Sequence, residues 1–151
     1  MSETVISFKN FGYQYYSQAE PTLYDINLEI HKGEKILIAG PSGCGKSTLG
    51  NCMNGLIPNA YRGTMSGTLT VGGLNTANAS LFDLSKHIGT VLQDSDGQFI
   101  GLSVGEDIAF ALENDCVEQD AMKEKVKEIA GIVGVEKHLE NSPQELSGGQ
   151  K

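Results

Sequence analysis

The sequence contains no tryptophan and no run of about 18 apolar residues. Nothing in it reads as a membrane-spanning helix, so any membrane role has to come through a partner. The first ten residues, MSETVISFKN, lack the basic stretch and long apolar core of a secretory signal. Cysteine is scarce. Cys44, Cys52 and Cys116 are odd in number and show no C-x-x-C spacing, which speaks against a disulfide framework and for a reducing cytoplasm. His31, His87 and His138 are scattered without metal-ligand spacing. Basic residues are also few, 11 Lys and Arg against 19 Asp and Glu, for a net charge of −8. That balance disfavours broad binding to a nucleic-acid backbone. It leaves room for a local anion site built from backbone N–H groups.

What is present suits a globular domain or a large piece of one. Of 151 residues, 39% are hydrophobic and 20% charged, enough for a modest core. The 19 glycines are spread through motifs and turns, so disorder is not the default reading. Acidic residues gather at 106–128 and 136–145, as on solvated helix faces.

Residues 4–9 alternate as in a strand, and 23–30, LYDINLEI, alternate as in a half-buried antiparallel one. After the turn at 31–34 comes KILIAG, a continuous apolar run of the kind found in strands buried on both faces. Residues 46–55 read as a helix ending at Gly55, 66–72 as a strand, 80–87 as a short helix and 88–93, IGTVLQ, as a second buried strand. Beyond residue 100 the pattern turns helical. Ser103 and Glu106 form a capping box for a helix to Asn114. Met122, Val126, Ile129 and Val133 stripe a second helix over 118–133, and a short helix is expected near 135–140.

The strongest motif is GPSGCGKST, from Gly40 through Pro41, Ser42, Gly43, Cys44, Gly45, Lys46 and Ser47 to Thr48. It satisfies G-x-x-x-x-G-K-[ST] between a strand signal and a helix signal. Glycines let consecutive N–H groups converge on an anionic oxygen, and the following helix adds its positive end. Lys46 can reach the β- and γ-phosphates, and Ser47 offers a hydroxyl to Mg²⁺. The motif alone leaves an ATPase, a GTPase and a small-molecule kinase open.

Taken in order, GPSGCGKST, Gln93 at the end of IGTVLQ, and LSGGQ at 146–150 resemble the nucleotide-binding domain of ABC ATPases. The resemblance implies an α/β fold: a P-loop NTPase (RecA-like) core with an N-terminal antiparallel β-subdomain, an α-helical subdomain and an incomplete sheet. It places the β-subdomain and the P-loop and Q-loop part of the core at 1–102, and the helical subdomain, ending at the signature motif, at 103–151. ATP and Mg²⁺ are the implied cofactors. Gln93 resembles the Q-loop glutamine, which senses Mg²⁺ and attacking water, and together with Lys46 it takes the catalytic role. Tyr15, in FGYQY, resembles the aromatic residue that stacks on adenine, with Tyr13 and Tyr16 as rivals by position. Ser147, Gly148, Gly149 and Gln150 resemble the signature that meets the phosphate of a second ATPase domain. Ser147 is expected to cap a helix there. Such domains pair head to tail, as homo- or heteromers, and Ser47 and Gln93 are the implied Mg²⁺ contacts.

The stretches QDSDGQFIGLSVGEDIAFALEN and NGLIPNAYRGTMSGTLTVGG are similar to energy-coupling-factor (ECF) ATPases, which power vitamin and metal-ion uptake. Where that family commonly has Asn-Pro after the Q-loop glutamine, this chain has Asp94-Ser95. The implied partners are a transmembrane coupling subunit and a substrate-binding membrane subunit, at the cytoplasmic face of the membrane, and no nucleic acid. The family continues past the signature with a Walker B strand and a switch histidine. On that comparison the chain is an N-terminal fragment of one domain, expected to bind nucleotide without useful hydrolysis and to leave the strand at 35–39 with an unpaired edge. The rivals are a soluble, non-transport ABC ATPase and a P-loop kinase or GTPase. LSGGQ and the helical insert speak against the last.

Overall fold

The computed structural model describes residues 3–94 and 96–151; Ser95, part of the Asp94-Ser95 departure, lies outside them. The chain divides into two compact units, Met1–Thr90 and Val91–Lys151.

The first unit is built on a four-stranded antiparallel sheet. Strands β1 (Thr4–Tyr15), β2 (Leu23–His31), β3 (Gly63–Val71) and β4 (Leu74–Asn75) lie in the order β2-β1-β3-β4. Helix α1 (Lys46–Met53), the turn α2 (Leu56–Asn59) and helix α3 (Leu81–Ser85) complete the unit. Phe8, Phe11, Tyr13, Leu69 and Val71 from the sheet share one core with Leu49, Cys52, Ile57 and Leu84 from the helical side.

β1 runs six residues past the expected end because a bulge interrupts its alternation. From Phe8 to Phe11, β1 advances three residues while β2 advances two, from Leu28 to Ile26. β3 shows the same offset between its pairs with Lys9 and Gly12. Asn10 absorbs the extra residue at φ 46° and donates its N–H to Asn27 Oδ1 at 2.8 Å. Phe8 and Phe11, three apart in sequence, therefore share the buried face.

The two continuous apolar runs are not strands. Residues 35–40 and 88–93 pair with no strand among the described residues. Ile36, Leu37 and Ile38 are exposed, Leu37 to 89%, as are Val91 and Leu92. A strand of this composition requires hydrogen-bonded neighbours and covered faces; among the described residues no strand pairs with either segment, and of 88–93 Ile88 packs against the core. The mixed α/β architecture with an antiparallel sheet that does not close agrees with the expected fold class.

In the second unit, α4 (Val104–Asn114) opens with the full capping box between Ser103 and Glu106, and α5 (Gln119–Val133) ends at Gly134 in the left-handed conformation. The short helix expected at 135–140 is a 3₁₀ turn, Glu136–His138, and a second such turn spans Pro143–Glu145. Val104, Ala130, Val135 and Leu146 form the core of this unit, flanked by Ile108 and Leu139.

Candidate functional site

The phosphate loop takes its shape from two glycines with positive φ, Gly43 at 82° and Gly45 at 98°. Gly45 caps α1 without a side-chain hydrogen bond. Thr48, Leu49 and Cys52 are buried and fix the helix to the first core, while Ser42, Gly43, Cys44 and Ser47 face outward. Among the described residues no acceptor is bonded to the N–H groups of Gly43, Gly45, Lys46 or Ser47. A run of free N–H groups at a helix start is a fitting cradle for a phosphate oxygen.

The Lys46 ammonium lies across this loop. It donates to Gly40 O at 2.9 Å and Pro41 O at 2.7 Å, and lies 3.7 Å from Cys44 Sγ. A cation held only by neutral acceptors remains available to an anion, which offers stronger charge-assisted bonds. Ser47, exposed at the same helix start, fits the hard oxygen chemistry of Mg²⁺. The described residues contain no group of three or more His, Cys, Asp or Glu able to hold a metal by themselves.

The three tyrosines separate clearly. Tyr13 is 1% exposed and donates its hydroxyl to Tyr61 O at 3.1 Å, so its ring belongs to the core. Burial, followed by the nearby Tyr15, Cys52 and Tyr16, raises its pKa. Tyr16 is 74% exposed. Tyr15 is half-buried, packs edge-on against Tyr13, and shares a 3.1 Å hydrogen bond between its hydroxyl and Thr48 Oγ1. Of the three, it is the one bonded to the phosphate-loop motif. Two residues' difference in sequence thus separates a core ring from a site-side ring. Farther along α1, burial pushes the Cys52 thiol up to about 12 from its ordinary 9.0.

In the second unit, Gln93 is exposed at a bend in the extended segment. Its neighbour Leu92 donates its N–H to Gln98 Oε1 at 2.9 Å. Asp107 Oδ1 accepts from Ile100 N at 2.8 Å and Gly101 N at 3.1 Å, tying the following loop to α4. A Cβ at Gly101 would run into the Asp107 backbone, so this close approach requires glycine.

The signature forms a turn in which Ser147 O accepts from Gln150 N at 2.9 Å and from Lys151 N at 3.1 Å, the second bond having the i→i+4 spacing of a helix start. Ser147 Oγ does not cap backbone. It donates to Gln150 Oε1 at 2.9 Å, and the same oxygen accepts from Ser147 N at 3.0 Å. The bond from Ser147 N to Gln150 Oε1 is the reciprocal half of an S-x-x-Q capping box, without the serine's own half. Leu146 is buried beneath the turn, and Gly148 and Gly149 have open space where a Cβ would stand.

The family model for ABC transporters matches residues 23–151. The chain belongs to the ABC transporter family. Proteins bearing the name ABC transporter ATP-binding protein are similar to this chain over all of its length: 61% identical in Enterococcus faecalis and 58% in Lactobacillus johnsonii. The chain spans about a quarter of those relatives, 27% and 26% of their lengths. Among solved structures, cbiO1 from Clostridium perfringens, described as part of the ABC transporter complex cbiONQ, has a TM-score of 0.83 at 27% identity. The match covers 98% of this chain and 57% of that one.

The sequence did not announce the loop-tying hydrogen bonds of Gln98 and Asp107. Asp107 follows a recognised capping box, so a second acidic residue in the same turn was the available signal. Gln98 bonds across a loop, and no local pattern marks it.

Proposed function

We propose that this chain is the nucleotide-binding part of an ABC importer ATPase, one that couples ATP hydrolysis to uptake of a vitamin or metal ion. The observation that carries the reading is the open phosphate loop: unbonded N–H groups at the start of α1 beneath the Lys46 ammonium. The residues from Gly40 to Thr48 bind the phosphates, with Lys46 neutralising the outer ones and Tyr15 beside the adenine. Mg²⁺, when bound, withdraws charge from the phosphates, and Ser47 would hold it. Gln93 keeps the role that the family resemblance implies, as a second Mg²⁺ contact and a sensor of attacking water. Ser147, Gly148, Gly149 and Gln150 serve the nucleotide of a second ATPase domain.

The ECF-like motifs favour a membrane coupling subunit and a substrate-binding subunit as partners, on the cytoplasmic face of the membrane. The name of the cbiO1 complex supports the same class of assembly. The division at 102/103 into nucleotide-core and helical subdomains belongs to this proposal too. By themselves the 151 residues are expected to bind nucleotide without turnover; steady phosphate release that Lys46→Ala abolishes would refute that part.

The test of the main reading is Mg²⁺-dependent ATP hydrolysis by the full-length protein, with and without Lys46→Ala. Unchanged turnover in that variant overturns it. Co-purification with membrane proteins supports the transport reading, whereas recovery with ribosomes would support a soluble, non-transport ATPase.

A further inference from the structure

The geometry points to His138 as a positioning residue for the signature turn, acting through Gln150; this rests on the ATPase reading above. His138 closes the 3₁₀ turn Glu136–His138. Its backbone is pinned on both sides, His138 N to Val135 O and Asn141 N to His138 O, each at 2.9 Å. Val135, which begins this segment, and Leu146, which begins the signature, share one buried core. The imidazole therefore stands on the same packed base as the turn it faces.

His138 Nε2 lies 3.3 Å from Gln150 Nε2. A side-chain amide nitrogen can only donate, so the imidazole nitrogen accepts and the ring carries its proton on Nδ1. The amide is thereby held at both ends. With Nε2 turned to His138, Oε1 faces Ser147 and accepts from both its N–H and its hydroxyl. The reversed amide would set Nε2–H against the Ser147 N–H, donor to donor. The Ser147 N–H, which can only donate, fixes the amide's orientation, and the Nε2 end that it leaves is held by His138. It holds the turn in shape while Gly148 and Gly149 stay open on its surface. Such preorganisation spares the site from ordering the turn when a phosphate arrives.

The test uses the full-length ATPase with His138→Ala, His138→Gln, Gln150→Ala and the double variant His138→Ala/Gln150→Ala. Turnover and the dissociation constant for a fluorescent ATP analogue are measured for each. His138→Ala is expected to lower kcat about three- to tenfold, the worth of one hydrogen bond, and to leave nucleotide affinity unchanged. His138→Gln, whose Oε1 can accept from Gln150 Nε2, recovers most of the loss. The double variant is no slower than Gln150→Ala alone. The inference is overturned if His138→Ala turns over within twofold of the natural protein, or if it weakens nucleotide binding. It is equally overturned if His138→Gln is no faster than His138→Ala, or if the two single losses multiply. Lys46→Ala separates the two ideas: hydrolysis surviving that change sinks the ATPase reading, whereas its loss beside a fully active His138→Ala sinks this inference alone.

Discussion

The phosphate loop and the signature turn are both short, polar and rich in glycine, yet glycine serves them differently. In the phosphate loop, Gly43 and Gly45 hold positive φ values that other residues avoid, and a Cβ on Gly45 would meet Leu23 Cδ2 at 3.0 Å and Thr22 O at 3.2 Å. In the signature, Gly148 and Gly149 show neither positive φ nor crowding. The first pair is required by the chain's own shape. Nothing in the chain's own shape requires the second pair. Anchoring differs as well: α1 is held by buried Thr48, Leu49 and Cys52, the signature turn by Leu146 and the Gln150 amide.

The largest effect expected within this contrast is chemical. At pH 8 a thiol reagent should modify exposed Cys44 quickly and leave Cys52 intact, because a thiol with a pKa of about 12 is about one part in ten thousand thiolate. The sign for stability follows. The unfolded chain loses this proton near the ordinary 9.0 while the folded one keeps it, so stability falls as pH rises from about 9 towards 12. Peptide mapping by mass spectrometry and denaturant midpoints at high pH check the two statements. Next in size, Lys46→Ala should reduce ATP turnover about 10²- to 10³-fold, as loss of a charge-stabilising donor typically does. Steady-state phosphate release measures it.

Gly45→Ala should cost about 1–3 kcal/mol in urea unfolding, from backbone strain. Gly148→Ala should stay within about 0.5 kcal/mol of the natural protein and still slow hydrolysis. Equal stability losses at both positions would erase the distinction between internal and external need. Tyr15→Phe should fall between the two, costing about 1 kcal/mol through the lost Thr48 bond, read from the same urea midpoints.

The helices at 104–114 and 119–133 were legible because capping and periodicity are properties of neighbouring residues. The alternation in LYDINLEI found its antiparallel partner for the same reason. KILIAG and IGTVLQ carry strand composition, but a strand exists only with a neighbour, and composition does not supply one. The phosphate-loop residues lie together because the motif is contiguous. By contrast, which tyrosine the core absorbs and which bonds Thr48 depended on the fold, and His138 meets Gln150 through a fold-dependent contact twelve positions away.

The bulge at Asn10 makes chain length adjustable at one point of β1. Removing Asn10 would set Phe11 directly after Lys9, still opposite Ile26, with Phe8, Phe11 and Tyr13 on one side. Replacing it with valine keeps the extra residue but forces a branched side chain into φ 46°, at a cost of about 1–2 kcal/mol. At this position, erasing a residue should be gentler than exchanging it. An insertion or deletion at Ser7, where the pairing is regular, would instead turn every side chain beyond it to the opposite face.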